Sequence, residues 1–250
     1  MAEGGANDDK LDDWLYVEPD HLEGYAFATV TAEAKALEPR SLGEAKRGGD
    51  WPLWAKAIHE ELATLKDAGT WDLEEALAGA NIVGLKWVFR AKKDAAGKTV
   101  CYKARLVEGF SQIPGVDYFD TFAPVARLAS IRAVLTFVAA EDLETGQIDI
   151  KGAYLNGELT DDERIYMRQP PGYAEGHLFC RLKKTLYGLK QSSHRWYQKL
   201  VEIMTKLRFS RSEVDQAVFY RWDIGRNILI IVKVHVDNCS IVASTQPLIY

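Results

Sequence analysis

The sequence predicts an α+β fold, and three observations support that class. Two apolar runs near the C-terminus, 227–234 and 239–243, are rich in Val and Ile and predict a hairpin with a polar tip. A second predicted hairpin lies upstream, and stretches with helical spacing of apolar residues lie between the two. Because these elements do not alternate in regular βαβ units, an α+β class is favoured over a parallel sheet.

The folded part is predicted to begin after an acidic leader. Residues 1–48 combine Gly, Asp, Glu and Ala with few apolar groups and are expected to be mostly disordered, whereas 49–250 are expected to fold. Asp50 and Pro52 suit the start of a helix, and Gly69 suits its end. The apolar stripe of this helix consists of Trp54, Ile58, Leu62 and Leu65.

A hairpin, a helix and a short strand are predicted in the middle of the chain. Leu85–Ala91 and Val100–Val107 have the composition of strands, and Asp94–Gly97 between them is typical of a hairpin turn. Ser130–Ala140 predicts a densely apolar helix, and Asp149 ends the short strand that follows.

An amphipathic helix is predicted over Gln191–Leu207, ahead of the terminal hairpin. Its apolar stripe consists of Trp196, Leu200, Met204 and Leu207.

Composition limits the class of protein. The chain has 250 residues, 28.1 kDa, 47% hydrophobic and 27% charged, which suits one or two soluble globular domains. No apolar stretch has transmembrane length, and the first residues do not form a signal peptide. Three widely spaced cysteines indicate a reduced setting. An intracellular protein is expected, neither secreted nor membrane-bound.

Positive charge is clustered although the net charge is −5. Residues 1–40 hold ten acids and three bases. Lys86–Arg105 holds seven bases and one acid, and Arg181–Arg211 holds nine bases and one acid. Phosphate backbones require such clusters, so both basic stretches are expected to face one groove. Two solvated amphipathic surfaces are the alternative.

Two carboxylates follow predicted apolar strands. Asp237 lies at the tip of the terminal hairpin, and Asp149 ends a strand farther upstream. Carboxylates on adjacent strand ends can share a pair of divalent cations that promote phosphoryl transfer. Taken without other motifs, an ordinary acid at a strand end is the favoured interpretation of each.

Several short motifs stand in the order found in one family of polymerases. They are Trp87–Phe89, Tyr102–Val107, Gly109–Gln112, Asp117–Pro124, Ser130–Arg132, Ile165–Met167, Gln169–Pro170 and Leu186–Gln191. Over about residues 45–243 the chain resembles the copia-type retrotransposon reverse transcriptases. Each motif alone has little specificity, and their common order carries the resemblance.

The resemblance implies the core of an RNA-directed DNA polymerase from a Pol polyprotein. It implies fingers and palm subdomains, with the catalytic hairpin on an antiparallel sheet packed on helices. Asp149 and Asp237 would bind two magnesium ions, or manganese in their place. The partners would be an RNA or DNA template with a DNA primer, deoxynucleotide triphosphates, and other Pol segments or further copies of the chain. The resemblance also implies a location in a cytoplasmic particle or the nucleus. A thumb and an RNase H region are expected to be missing from this fragment.

The resemblance also suggests roles for residues around the carboxylates. Lys103 and Arg105 would hold the triphosphate, with exposed strand charges as the alternative. Tyr154 would exclude a ribose 2′-hydroxyl, with a plain core aromatic as the alternative. Gln191 would bind the nucleotide, and Gly188, Lys190 and His235 would contact nucleic acid. For the motif around Gln191, a turn leading into a helix is the alternative.

Four departures from the family pattern suggest relaxed selection on catalysis. At the tip, His235 and Asn238 replace the family's Tyr and second Asp. One residue is missing near Glu108, which would flip strand side chains unless a turn absorbs it, and His194 replaces the usual Arg. Asn238 would be a weakened catalytic position or a hairpin-turn residue that tolerates positive φ. A weak or inactive polymerase is expected. A non-catalytic nucleic-acid binder and an inert remnant are the alternatives.

Overall fold

The computed structural model describes residues 38–108, 111–223, 225 and 228–245, and it confirms the α+β class. Its α-helices are α1 (Leu42–Arg47), α2 (Trp51–Asp67), α3 (Leu128–Glu141) and α4 (Ser192–Lys206), and a 3₁₀ turn covers Ala153–Asn156. None of the helices in the described ranges combines the length and the apolar character that a membrane span requires.

The strands form three sheets. In chain order they are β1 (Trp71–Glu74), β2 (Ile82–Val83), β3 (Leu85–Lys93), β4 (Thr99–Glu108), β5 (Glu144–Asp149), β6 (Tyr166–Met167), β7 (Phe179–Leu182), β8 (Ser210–Arg211), β9 (Val218–Asp223), β10 (Ile228–His235) and β11 (Asn238–Ala243). One sheet is the β3–β4 hairpin, the second has the order β1-β7-β6-β2, and the third has the order β5-β11-β10-β9-β8. Both predicted hairpins and the strand ending at Asp149 are confirmed.

The first core lies between α2 and the β3–β4 hairpin. The Trp54 ring meets Phe89 and Tyr102 edge-on, with ring centroids 5.2 and 4.6 Å apart. Asp50 occupies the N-cap of α2, but it makes no capping hydrogen bond, and its Oδ2 accepts from the Tyr102 hydroxyl at 3.1 Å instead. The acid therefore ties the helix to the hairpin, which differs from the capping role predicted for it.

The second core lies between α4 and one face of the five-stranded sheet. Trp196, Leu200 and Met204 are buried there, as their helical spacing predicted. Leu207 was expected to continue that stripe, but α4 ends at Lys206 and the side chain of Leu207 is 51% exposed. The core therefore ends one turn earlier than the apolar pattern.

The apolar helix α3 contributes no buried residue to either core. It extends the predicted helix by two residues at its start and one at its end, yet none of its residues is buried. Leu128 and Leu135 are 60% and 51% exposed. They stand seven residues apart, so they lie on the same face of the helix.

Helix α1 precedes the point at which the folded part was expected to begin. Residues 1–37 of the predicted leader lie outside the described residues, but Leu42–Arg47 is helical and Ala45 is fully buried, so a disordered segment up to residue 48 is wrong for this part. Ser41 Oγ accepts from Glu44 N at 3.2 Å, and Glu44 Oε2 accepts from Arg40 N at 2.9 Å. The Ser-x-x-Glu spacing typical of a helix start was the missed sequence signal.

Candidate active site

The terminal hairpin brings the two predicted carboxylates to one end of the five-stranded sheet. Strand β5 ends at Asp149, and β11 begins at Asn238, its direct cross-strand partner. Asp237 lies in the turn just before β11, and its carbonyl oxygen accepts from Ile150 N at 2.8 Å. Because directly opposed residues have Cβ atoms about 4.5–5.5 Å apart, neighbouring strand ends hold these side chains close together.

The turn at the tip has an unusual backbone. Val236 has φ of 59°, a left-handed conformation that a β-branched residue rarely adopts. Its carbonyl oxygen accepts from Trp196 Nε1 at 2.8 Å, and this hydrogen bond ties the turn to helix α4. Such strained residues occur at sites where the surrounding structure fixes the geometry. Here the fixed geometry includes the adjacent Asp237.

Asn238 does not serve as the positive-φ residue of the turn, because that position belongs to Val236. Asn238 starts β11, its Nδ2 donates to Asp237 Oδ1 at 3.2 Å, and its Oδ1 lies 3.4 Å from Gln147 Nε2. The prediction that Asn238 is the hairpin-turn residue with positive φ is therefore wrong. Its amide instead contacts the one carboxylate that remains on the tip.

A cleft of about 800 Å³ joins the carboxylates to the first basic stretch. Asp149 and Asp237 line it together with Lys103 and Arg105. Further lining residues come from α2, from β3, from the turn after β5 and from the segment after β7; they include Glu61, Arg90, Lys92, Lys151 and Tyr187. Paired acids and bases thus share one open space, as a site for a metal-bound triphosphate requires.

The missing residue near Glu108 does not disturb β4. Ala104, Leu106 and Glu108 are buried on one face, so Lys103 and Arg105 point to the other, and the pairing with β3 continues to Leu85 opposite Glu108. Glu108 is 1% exposed, and its Oε1 accepts from Ser111 N at 2.8 Å. The predicted alternation of Lys103 and Arg105 is confirmed, and the shortening leaves their side chains on the cleft side.

Tyr154 lies one layer behind the cleft. Its half-buried ring meets the ring of Tyr187 edge-on, with centroids 5.0 Å apart, and its hydroxyl accepts from Ser193 Oγ at 3.4 Å. Tyr187 itself lines the cleft, whereas Tyr154 does not. The residue predicted to meet the ribose therefore supports the cleft wall in this structure.

The motif around Gln191 is built into the fold. Gln191 is 0% exposed, its Nε2 donates to the Asp117 carbonyl at 2.8 Å, and its Oε1 accepts from Gln112 Nε2 at 3.0 Å. A nucleotide contact by this buried amide, as predicted, is at odds with its placement, since both polar ends are engaged. The alternative interpretation, a turn leading into a helix, fits its position at the N-cap of α4.

The other three residues predicted to contact nucleic acid also lie outside the cleft lining. Gly188 has φ of 97° and packs against the end of β4. Lys190 is exposed, and its backbone N–H donates to Gln112 Oε1 at 2.7 Å. His235 is exposed at the end of β10, opposite Asn238.

The second basic stretch adds no basic side chain to the cleft. Arg181 and Lys183 pair with Asp72, with N–O distances of 3.5 and 2.8 Å, and Arg195 pairs with the buried Glu163 at 2.7 Å. Lys199 and Lys206 pair with carboxylates as well. The expectation that both stretches face one groove is therefore not met at this cleft, which four bases of Lys86–Arg105 line and no base of Arg181–Arg211 does.

Glu61 is a cleft residue that the sequence interpretation missed. It lies on α2 beside Lys103 and Arg105, and its Oε1 is 3.4 Å from Leu106 N on the outer edge of β4. Burial raises the pKa of the Glu61 carboxyl, although the Leu106 N–H and the two bases oppose the rise. Position 61 falls on the helical stripe that includes Trp54, Ile58 and Leu65, so an acid on a core-facing stripe was the available signal.

The donor set suits a hard cation that is shared with a substrate. No group of three or more His, Cys, Asp or Glu side chains that could hold a metal occurs among the described residues. Asp149 and Asp237 do share the cleft, and magnesium usually needs one or two carboxylates with the remaining oxygens from phosphate and water. These two residues therefore fit a metal that arrives with a triphosphate better than a closed protein site.

Comparison with known proteins agrees with this arrangement. Residues 68–249 match the family model described as reverse transcriptase (RNA-dependent DNA polymerase). The chain is 39% identical over 85% of its length to the retrovirus-related Pol polyprotein from transposon TNT 1-94 of Nicotiana tabacum, and 34% identical over 90% to that from transposon RE1 of Arabidopsis thaliana. It spans 16% and 15% of those relatives. The chain therefore belongs to the reverse transcriptase (RNA-dependent DNA polymerase) family, as a domain of the copia type found in retrotransposon Pol polyproteins.

Proposed function

We propose that the cleft is the nucleotidyl-transfer site of an RNA-directed DNA polymerase, and that it is impaired in this copy. The observation that carries the proposal is that Asp149 and Asp237 share one cleft with Lys103 and Arg105. In this proposal the five-stranded sheet with α4 forms the palm, and the β3–β4 hairpin belongs to the fingers. The substrates would be a DNA primer on an RNA or DNA template and a deoxynucleotide triphosphate.

The roles of the side chains follow from their charge and position. Asp149 and Asp237 would hold two magnesium ions, or manganese, which when bound stabilise charge on the attacking and leaving oxygens. Lys103 and Arg105 would bind the triphosphate from the opposite wall, Arg105 through its planar fork of donors. The β4 strand fixes the spacing of both bases, so the triphosphate would be oriented before reaction.

Asn238 is the reason to expect impairment. It keeps one oxygen that could contact a cation but carries no charge, and its amide already contacts Asp237. One carboxylate–cation attraction at about 4–5 Å is worth on the order of several kcal/mol before desolvation is subtracted. A net loss of about 2–4 kcal/mol at the transition state would slow the chemistry roughly 30- to 1000-fold.

Primer extension by the intact chain tests the catalytic proposal. We expect weak extension that manganese improves more than magnesium. Asn238→Asp should raise extension roughly 30- to 1000-fold, if the missing charge limits the reaction. Asp237→Asn and Asp149→Asn should abolish it. Glu144→Gln is the matched control, because Glu144 is an exposed acid at the opposite end of the same strand, opposite Ala243.

A non-catalytic nucleic-acid binder is the second candidate, and the replacement of a tip carboxylate by Asn238 favours it. If Asn238→Asp does not extend a primer in either metal while the wild-type chain still binds primer–template, this second function is supported. If the wild-type chain extends a primer and Asn238→Asp does not change the rate, the carboxylate that Asn238 replaces is not limiting. Failure to bind primer–template at all would contradict both candidates.

A further inference from the structure

Tyr187 occupies a position in the cleft for which the proposed chemistry has given no role. It belongs to the segment Leu186–Gln191, and its half-buried side chain lines the cleft with Asp149 and Asp237. The Arg105 guanidinium carbon lies over its ring, 4.1 Å from the ring centroid. Contacts of this kind attract a cation to the aromatic face, and the planar guanidinium also stacks well there.

The ring of Tyr187 is itself supported from another side. Tyr154 meets it with centroids 5.0 Å apart and an interplanar angle of 71°, the edge-to-face arrangement that aromatic pairs favour. Arg105, Tyr187 and Tyr154 therefore form a continuous stack that runs from the cleft into the second core, against which Tyr154 packs. The innermost member packs against that core, so it supports the middle ring from the side away from Arg105.

The backbones on both sides of the stack are joined. The Tyr187 carbonyl oxygen accepts from Glu108 N at 3.0 Å, and Glu108 is the last residue of the strand that carries Arg105. The next residue, Gly188, approaches so closely that an added Cβ would lie 2.8 Å from Val107 Cγ1. The backbone segments that carry Arg105 and Tyr187 are thus held next to each other.

This support matters because a free arginine side chain has many rotamers, and carboxylates of the cleft, Glu61 among them, attract it. Ordering a long side chain costs up to about 2 kcal/mol of rotamer entropy, so an arginine held in place beforehand binds an anion more tightly. Burial raises the pKa of Tyr187, while the neighbouring Arg105 lowers it. The phenol is therefore neutral at neutral pH, and it holds the guanidinium without cancelling its charge.

We propose that Tyr187 is a positioning residue, which holds the Arg105 guanidinium on its ring so that its donors face the triphosphate of the incoming nucleotide. This inference rests on the proposed function, because it assumes that a triphosphate binds beside Asp149 and Asp237. Tyr187 acts through the position that it gives to Arg105, and it need not touch the substrate.

A double-mutant cycle tests the proposal on the intact chain. The affinity for dTTP would be measured with magnesium, a dideoxy-terminated DNA primer and an RNA template, so that no turnover is required. Tyr187→Leu, which removes the aromatic face, should weaken dTTP binding roughly 3- to 30-fold. Arg105→Ala should weaken it at least as much, and the double variant should be no weaker than Arg105→Ala alone.

Two further variants separate positioning from a general effect on folding. Tyr187→Phe keeps the ring and should restore affinity to within about twofold of the wild type. Arg105→Lys keeps the charge but loses the planar stack, so it should weaken dTTP binding by about as much as the 3- to 30-fold expected for Tyr187→Leu. This variant tests the proposal even if Tyr187→Leu folds poorly. Equal losses for Tyr187→Phe and Tyr187→Leu would overturn the proposal, because the hydroxyl rather than the ring would then matter.

The outcomes also distinguish the inference from the proposed function. If Arg105→Ala weakens dTTP binding and Tyr187→Leu does not, or if the two losses simply add, the positioning role is wrong while the triphosphate site stands. If the wild-type chain binds primer–template but dTTP affinity is the same with and without Arg105, the triphosphate site is misplaced. Tyr187 then has no positioning role for the nucleotide.

Discussion

Glu61 shows how burial and neighbouring charges oppose each other at a single side chain. The carboxyl lies on the core-facing stripe of α2, and desolvation there disfavours its charged form. Arg105, Lys103 and the Leu106 N–H favour the charged form but do not outweigh burial. Ionisation of Glu61 therefore lowers the stability of the folded protein.

The first prediction concerns the pH dependence of this cost. Below about pH 4.5, the ordinary value, Glu61 is protonated in both folded and unfolded chains and has no effect. As the pH rises from that value to the raised folded pKa, the unfolded chain ionises first, so the contribution of Glu61 to stability falls. Glu61→Gln should therefore raise the melting temperature more at pH 8 than at pH 4.

Thermal unfolding monitored by circular dichroism measures this difference. Glu60→Gln is the matched control, since Glu60 is exposed on the adjacent position and pairs only at 3.9 Å with Lys56. An equal effect of Glu61→Gln at both pH values would contradict the assignment of burial as the cause.

Single residues differ in how far their roles follow from sequence. Asp149 ends a strand and Asp237 lies in the hairpin turn, as the sequence pattern predicted. Lys103 and Arg105 alternate with buried residues along β4, so strand periodicity placed them on one face. Gln191 was misassigned because a polar residue at a helix start gives no indication of burial. Tyr187 was missed because its importance depends on a ring contact between segments that are far apart in sequence.

At the scale of elements, the approach of the segment after β7 to the end of β4 depends on one glycine. Gly188 adopts φ of 97°, and an added Cβ would stand 2.9 Å from the Glu108 carbonyl oxygen and 2.8 Å from Val107 Cγ1. Backbone atoms on a paired strand cannot move aside as a flexible side chain can. Two independent constraints, conformation and contact, therefore meet at this residue.

We predict that Gly188→Ala is more destabilising than a substitution with the conformational penalty alone. Gly97 is the matched control, because it has φ of 80° and nothing within 4 Å of an added Cβ. Gly97→Ala should cost about 1–2 kcal/mol, and Gly188→Ala about 2–5 kcal/mol, because overpacking adds about 1–3 kcal/mol. Urea unfolding of both variants gives the two free energies. Equal values would show that the segment relaxes away from β4.

Element types were predicted more reliably than their surroundings. The β3–β4 hairpin and α4 followed from period and turn chemistry, which are local properties of the chain. Helix α3 was also predicted, but its apolar sequence suggested burial that the structure lacks. Tertiary contacts decide burial, and a sequence pattern gives only the face that is available for it.

At the scale of the whole molecule, α3 leaves apolar surface uncovered. Leu128 and Leu135 share one face of that helix and are largely exposed. Contiguous apolar surface of this kind promotes association between molecules.

We therefore predict concentration-dependent self-association of the purified chain. Leu128→Glu combined with Leu135→Glu should shift the chain toward monomer, because charge on the patch opposes its burial. Val100→Glu is the control, since Val100 is 62% exposed on the separate β3–β4 hairpin. Sedimentation velocity over a concentration series measures the effect. A wild-type chain that stays monomeric at high concentration would contradict the prediction.

The ion pairs of the second basic stretch determine how many counterions a bound duplex can displace. Five basic side chains line the cleft, and Glu38 already neutralises one of them, Arg90. When no triphosphate is bound, the four remaining cations, Lys103 and Arg105 included, correspond to a slope of about −3 to −4 in a plot of log K against log salt concentration. If the nine bases of Arg181–Arg211 also met phosphate, the slope would be steeper than about −10. A shallow slope would mean that affinity for primer–template survives moderate salt.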